Sequence, residues 1–193
     1  MMESGIDYLC VAGHKGLYGP MGTGMMITEK GSDLDTLIEG GTGTNSESLQ
    51  QPPTMPDRME SGTPNMPGIS GLRAGIEFVS FKGIDRIYRH EMSILQSLYQ
   101  GLTETKGVLL YTPEPSAPHF VPVLSFNVEG IESEAVAKKL ANAGIAVRAG
   151  LHCAPEAHKF MGTLEQGAVR VAPSAFSTQM EVRQFLQVLR KNL

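Results

Sequence analysis

The sequence is poor in cysteine and aromatic residues, with two cysteines, no tryptophan and 6% aromatic residues among 193 residues. Cys10 and Cys153 lie far apart, which argues against a disulfide framework and favours a reducing, cytoplasmic compartment. No apolar run approaches the roughly 20 residues of a membrane-spanning helix, so no membrane role is expected.

Positive charge is also scarce, with 16 Lys and Arg against 20 Asp and Glu, a net charge of −4. Nothing resembles the basic stripe of a nucleic-acid-binding protein, so we expect no such partner. The first residues include Glu3 and Asp7 and lack the basic region of a signal peptide. The first motif follows almost at once, from which we predict that an upstream part of a longer chain is absent.

Secondary structure is predicted unevenly along the chain. Residues 6–11 read as a buried strand and residues 25–28 as a second strand. Residues 39–68 follow neither a helical nor a strand period, which is typical of functional or disordered segments. Apolar residues then keep a helical spacing from residue 69 to about residue 103, which Gly83 interrupts.

The remaining residues alternate strands and helices. Strands are predicted over residues 121–128, 145–148 and 168–171. A helix over residues 133–142 is expected to be capped by Ser133, and Thr178 with Glu181 predicts a capping box before the last helix. This is an α+β arrangement with helices on one face of a small antiparallel or mixed sheet.

A glycine-rich segment, GHKGLYGPMGTG, places Lys15 directly after the first strand. A surface lysine in a turn is the simplest interpretation. A strand, not a helix, follows, which argues against a dinucleotide fingerprint, and the Gly-Lys-Ser/Thr ending of a P-loop is missing. A partly desolvated lysine can instead form a Schiff base with a carbonyl cofactor, with His14 beside the phosphate or ring.

A second segment, RAGLHCAP, places Cys153 between a strand and a short helix. Cationic neighbours and a helix N-terminus favour the thiolate form of a cysteine, which suits a nucleophile. A zinc site of His152, Cys153 and His158 would lack a fourth ligand, so no metal is expected. Cys10, within an apolar strand, is expected to be a small buried residue.

Three further features could bind anions. Arg170 lies in a predicted strand, where it is either an exposed charge on an edge strand or a bidentate partner for a carboxylate. Backbone amides and the Thr63 hydroxyl in residues 60–65 (ESGTPN) could hold a phosphate. Residues 40–43 (GGTG) are a second candidate, although such loops are often only linkers.

Together these motifs, in this order, resemble the fold-type I pyridoxal-phosphate enzymes of the class V aminotransferase family, in particular the SUF-like cysteine desulfurases. The resemblance rests on GHKGLYGPMGTG, on GGTGT followed by RMESGTPN, on RAGLHCAP and on GAVRVAPSAFST. It implies an α/β and α+β fold. Residues 1–83 would be the C-terminal part of the large cofactor-binding domain, and residues 84–193 a small α+β domain.

The resemblance also implies how the cofactor, pyridoxal 5′-phosphate, is held. Lys15 would carry it and move protons between the substrate carbon and the cofactor. His14 would support its phosphate. Gly62 and Thr63 would reach the phosphate of the partner subunit's cofactor, which implies a homodimer.

For the substrate, the resemblance implies that Arg170 binds the carboxylate of L-cysteine. Cys153 would attack the sulfur, keep it as a persulfide and release L-alanine. The persulfide would pass to a sulfur-acceptor protein for iron–sulfur cluster or thio-cofactor assembly.

Three alternatives remain open. A selenocysteine lyase would use the same residues, whereas a class V aminotransferase of the same fold would not need Cys153. The family's N-terminal part supplies the phosphate-cradling helix, the aspartate at the ring nitrogen and the side chain stacked on the ring. Without them, the chain could be a catalytically inactive structural remnant.

Ser177 also stands where close relatives usually have asparagine.

Overall fold

The computed structural model describes residues 2–191. They form two compact units, an N-terminal unit that ends at Lys82 and a C-terminal unit that begins at Gly83. After a 3-10 turn at Met2–Ser4, the N-terminal unit begins with strands β1, Tyr8–Ala12, and β2, Gly24–Thr28. They pair antiparallel, with Cys10 opposite Met26. Both strands were predicted, although β1 starts two residues later than expected.

The expected burial of β1 is wrong. Tyr8 is 41% exposed and Ile27, on β2, is 43% exposed. Cys10 is likewise exposed, against the prediction of a small buried residue. The physical reason is that β1 and β2 form a sheet of only two strands. A sheet this small cannot bury the side chains on both of its faces.

Between β2 and the first α-helix, the chain has only the 3-10 turns Gly31–Asp33 and Asp57–Met59. The irregular segment predicted over residues 39–68 is confirmed up to residue 65, and its last three residues already belong to the helix. Helix α1, Met66–Lys82, and helix α2, Ile84–Thr103, follow. Gly83 separates them with φ 83°, a left-handed conformation that favours glycine, so the predicted interruption is confirmed.

The C-terminal unit contains one four-stranded antiparallel sheet. Its strands are β3, Val108–Leu110, β4, Leu124–Val128, β5, Arg148–Gly150, and β6, Ala168–Val171. Their order is β3-β4-β6-β5, which confirms a small sheet of the antiparallel kind. β3 was not predicted, and β5 overlaps the strand predicted over residues 145–148 only at Arg148, because strands of three residues show no clear period of two.

Three helices cover one face of this sheet: α2, α3, Ser133–Asn142, and α5, Gln179–Lys191. A short helix α4, Pro155–Phe160, follows the Cys153 loop. The core between helices and sheet joins residues such as Leu95, Phe126, Leu140, Val169 and Phe185. The Phe126 and Phe185 rings meet edge to face at 6.1 Å. The burial of these apolar side chains is the main stabilising contribution to the C-terminal unit.

The two helix-capping predictions had different outcomes. The capping box before α5 is confirmed, since the Thr178 N–H donates to Glu181 Oε2 at 2.7 Å and the Glu181 N–H to Thr178 Oγ1 at 3.3 Å. The Ser133 cap is wrong. Ser133 is the first residue of α3, and its hydroxyl donates to the Gln166 carbonyl at 2.6 Å, which ties α3 to the segment before β6. Over residues 2–191, the helices are too short or too polar to cross a membrane.

Candidate functional site

Lys15 lies in a turn whose backbone is fixed on both sides. The Gly13 N–H donates to the Thr23 carbonyl at 2.9 Å, and the Gly19 N–H to the Gly13 carbonyl at 2.8 Å. The Lys15 side chain is exposed and has no ion pair with any residue in the described range 2–191. The fixed backbone and the unpaired amine leave Lys15 accessible to a carbonyl group, but the partial desolvation expected of a Schiff-base lysine is not seen within the described residues of this chain.

Helix α1 supports this turn through a glycine that belongs to none of the sequence motifs. A Cβ at Gly75 would overlap the Leu17 carbonyl oxygen, so the helix approaches the turn more closely than any side chain would allow. One residue further, the Tyr18 ring meets the Phe78 ring edge to face at 5.4 Å. The sequence signal for this close packing is the spacing of Gly68, Gly71 and Gly75, which places the three glycines on one face of α1.

The two glycine loops proposed as alternative phosphate sites are brought together. The Gly62 N–H donates to the Gly40 carbonyl at 2.7 Å. A Cβ at Gly41, where φ is +71°, would lie 3.1 Å from the Gly62 Cα. Residues 40–43, the GGTG loop, and residues 60–65, the ESGTPN loop, therefore form one surface instead of two alternatives.

This surface has the character of an anion site. Within the described part of the chain, the backbone N–H groups of residues 41–43 and of Thr63 donate to no protein acceptor. Successive amides in turns with left-handed glycines, such as Gly40, Gly41 and Gly43, form concavities that bind anions. Since a phosphate group accepts such bonds, the residues present fit the phosphate of pyridoxal phosphate.

In the C-terminal unit, the sheet face opposite the core carries a row of three polar residues. β6 lies between β4 and β5, and its Arg170 is directly opposite Ser125 on one side and Arg148 on the other. The interpretation of Arg170 as a charge on an edge strand is therefore wrong. Neither arginine has a carboxylate partner among residues 2–191. Two like charges opposite each other destabilise a sheet, and a bound anion would relieve that repulsion.

The loop after β5 presents Cys153 in an unusual conformation. His152 and Cys153 have φ of 52° and 60°, the left-handed region that side chains other than glycine rarely occupy. The His152 Nε2–H donates to the Ala168 carbonyl at 2.9 Å, which ties the loop to β6 two residues from Arg170. Cys153 itself is exposed. Strained backbone of this kind collects at functional sites.

His152 keeps one ring nitrogen free. Burial lowers the pKa of His152, the bond to Ala168 opposes that shift, and the charges of Arg170, His158 and Arg148 lower the pKa further. The ring is therefore neutral near pH 7, with its proton on Nε2. Nδ1 is buried and has no hydrogen-bond partner within the described residues. No cluster of three metal-ligating side chains occurs in that range.

The comparisons with known proteins agree with one another. The family described as aminotransferase class-V matches residues 1–185. A probable cysteine desulfurase of Pyrococcus abyssi is 36% identical over 192 residues, which cover 96% of this chain and 46% of the relative. The apo structure of a cysteine desulfurase from Thermococcus onnurineus is 37% identical with a TM-score of 0.82, covering 96% of this chain and 46% of that one.

A third relative, the structure of the cysteine desulfurase CsdA from Escherichia coli, is 25% identical with a TM-score of 0.83. The match covers 98% of this chain and 47% of the other. The chain thus spans about half the length of the relatives it matches. The match extends over both units, so the N-terminal unit and the C-terminal unit each have a counterpart in cysteine desulfurase structures.

Proposed function

Since the chain belongs to the aminotransferase class-V family, we propose that it is the C-terminal half of a pyridoxal-phosphate-dependent cysteine desulfurase. The reaction would convert L-cysteine into L-alanine and a persulfide on Cys153. The observation that carries the proposal is the exposed Cys153 on a strained loop that His152 ties to the strand of Arg170. An aminotransferase of the same fold would have no use for that thiol.

The N-terminal unit would hold the cofactor. Lys15 has a free amine on a fixed backbone, which suits attachment to a carbonyl cofactor. His14, Gly62 and Thr63 would bind the phosphate, the latter two from the partner subunit of a homodimer. When bound, pyridoxal phosphate draws electrons away from the substrate carbon. Lys15 would take up and return the proton at that carbon.

The C-terminal unit would hold the substrate. The Arg170 guanidinium would bind the carboxylate with two parallel hydrogen bonds. The Cys153 thiolate would attack the substrate sulfur. A sulfur–sulfur bond forms and the carbon–sulfur bond breaks, and a proton replaces the sulfur on the carbon to give alanine. The product on Cys153 is a persulfide, so the net sulfur transfer needs no external oxidant.

The same proposal assigns the domains and partners. Residues 1–83 would be the end of the large cofactor domain and residues 84–193 the small domain. The exposed apolar residues of the hairpin, such as Tyr8 and Ile27, support a further layer in the longer protein. A thiol that must stay reduced favours the cytoplasm. The persulfide would go to a sulfur-acceptor protein that serves iron–sulfur cluster assembly.

The test is to mix the chain with pyridoxal phosphate, reduce with borohydride and map the adduct by peptide mass. We expect one adduct, on Lys15, that Lys15→Arg removes and the control Lys30→Arg leaves in place. A separate sample that has not been reduced is supplied with L-cysteine, and alanine and persulfide are measured in the wild type and in Cys153→Ser.

The outcomes separate the alternatives. A persulfide on Cys153 with equal amounts of alanine supports a desulfurase. Turnover that Cys153→Ser leaves intact would favour an aminotransferase. Labelling scattered over several lysines would mean that this polypeptide alone is a structural remnant, and the proposed assignment of Lys15 would fail for it.

A further inference from the structure

One side chain links the GGTG loop to the segment that leads into the ESGTPN loop. Gln51 Oε1 accepts a hydrogen bond from the Gly40 N–H at 3.1 Å. Its Nε2 donates to the carbonyls of Asp57 and Arg58 at 3.4 and 3.5 Å. Gln51 therefore uses both ends of its amide on backbone groups of two segments that are far apart in sequence.

A second side chain reinforces the same connection. The Arg58 guanidinium donates from Nε and Nη2 to the Leu34 carbonyl at 3.1 and 3.0 Å. Leu34 precedes the GGTG loop, and Arg58 precedes the ESGTPN loop. The direct bond from the Gly62 N–H to the Gly40 carbonyl, at 2.7 Å, then closes the arrangement between the loops themselves.

These bonds matter because the segment has almost no regular structure to hold it. Only a 3-10 turn at Asp57–Met59 interrupts residues 34–65. Backbone groups outside helices and sheets need other partners, and here side chains provide several of them. Ordered loops of this length are usually functional.

We propose that Gln51 is a positioning residue that holds the GGTG and ESGTPN loops in one frame, so that both loops bind the same phosphate group. The proposal rests on the proposed function for the phosphate's identity, and it adds the GGTG loop and Gln51 to that site. Gln51 does not touch the phosphate. It acts by aligning the free amides of residues 41–43 with that of Thr63, in addition to the direct Gly62–Gly40 bond and the Arg58–Leu34 bonds.

The experiment uses the 15N-labelled chain and follows the amide signals of both loops by NMR while inorganic phosphate, and then pyridoxal phosphate, is added. Gln51→Ala removes the link, and Gln51→Met removes it while keeping the side-chain volume. Gln50→Ala and Gln50→Met are the matched controls, since Gln50 is the exposed neighbour. Hydrogen exchange of the Gly40 and Gly62 amides is measured on each variant without ligand.

In the wild type, phosphate should shift the amides of residues 41–43 and Thr63 with one dissociation constant. Both Gln51 variants should raise that constant about 10-fold, the effect of losing one or two hydrogen bonds. They should also speed exchange at Gly40 and Gly62, whereas the Gln50 variants should change neither quantity. Gln51→Met keeps the test valid if Gln51→Ala unfolds the loop.

The proposal is overturned if phosphate shifts one loop alone or neither, or if Gln51→Met binds phosphate as tightly as the wild type. Failure of the proposed function is seen separately, in the borohydride labelling of Lys15. Labelled Lys15 with no phosphate response in the loops would leave the cofactor assignment and remove this inference. Coupled loops with no Lys15 adduct would do the reverse.

Discussion

The two units place their candidate site residues on very different supports. In the C-terminal unit, Arg170 lies on an interior strand backed by a core of buried side chains. Among the described residues of the N-terminal unit, Leu72, Val79 and Pro52 are the only buried apolar side chains, and the phosphate-site candidates lie on loops. Hydrophobic burial holds the site residues of the C-terminal unit in place, whereas individual side-chain hydrogen bonds hold the loops of the N-terminal unit. Each region should therefore fail in its own way when it is mutated.

The largest expected difference comes from the same substitution in both units. Leu95→Ala, at a residue with no exposed surface, should lower the free energy of unfolding of the C-terminal unit by about 4 kcal/mol. Leu72→Ala should cost the N-terminal unit only about 2 kcal/mol, the low end of the range, because fewer side chains surround it. Hydrogen exchange resolves the two units separately.

Leu49→Ala, at a residue 99% exposed, is the control and should stay within about 0.5 kcal/mol of the wild type. Equal losses in the free energy of unfolding for Leu95→Ala and Leu72→Ala would contradict the proposed difference between the two units. They would mean that the N-terminal unit depends on hydrophobic burial as much as the C-terminal unit does.

A smaller effect is expected where helix α1 meets the lysine turn. Gly75→Ala would place its Cβ against the Leu17 carbonyl, and the helix must move away from the turn. Overpacking of this kind costs about 1–3 kcal/mol. Borohydride labelling of Lys15 should fall at the same time, because the turn loses its support.

Ala74→Ser, at the neighbouring exposed position on α1, is the control and should leave both the stability and the labelling close to the wild type. Full labelling of Lys15 in a destabilised Gly75→Ala chain would show that the turn holds the lysine without the helix. The close approach would then serve packing alone.

The same contrast explains what the sequence could predict. Helices α3 and α5, strand β6 and the capping box follow from periods and local caps, which depend on near neighbours. The roles of Gly75 and Gln51 arise from contacts between segments far apart in sequence, so no local pattern carries them. Cys10 was misjudged because burial depends on which layers cover a strand, and the apolar pattern of β1 does not say whether such a layer is present.

The left-handed loop at Cys153 was also not predicted, since cysteine does not favour φ above zero and histidine adopts it in only a small fraction of cases. The motif located the nucleophile candidate correctly on a loop between a strand and a helix. It could not reveal that the His152 Nε2–H donates a hydrogen bond to the Ala168 carbonyl, or that Nδ1 has no partner among the described residues. Both facts depend on the position of β6, which pairs with β5 across a gap of 17 residues.

A pH titration tests whether His152 belongs to the rigid region. Its pKa is lowered in the fold, mainly by burial, so the neutral ring contributes stability that is present above its unfolded pKa, about 6.5. That contribution is lost as the pH falls through the lowered value. Histidine NMR signals should therefore give a pKa for His152 below 6.5, and His152→Gln should flatten the decline of stability below that pH.

Arg170→Gln should raise the pKa of His152, because one of the repelling charges is gone. Arg183→Gln, at an exposed position on α5, is the control and should leave that pKa unchanged. A pKa of His152 at about 6.5 in the wild type would mean that the ring is solvated, and the loop that carries Cys153 would then belong with the loosely held regions.

The smallest expected effect concerns the two arginines. Arg148→Gln removes one of two like charges that face each other on β5 and β6, so it should stabilise the C-terminal unit by about 0.2–1 kcal/mol at low salt. The gain should shrink at high salt, where the repulsion is screened. Arg183→Gln should give no comparable gain. A loss of stability in Arg148→Gln would mean that the arginine already makes a favourable contact on this face. In that case Arg148 and Arg170 would not form a joint anion site, and Arg170 alone would remain as the candidate partner for the substrate carboxylate.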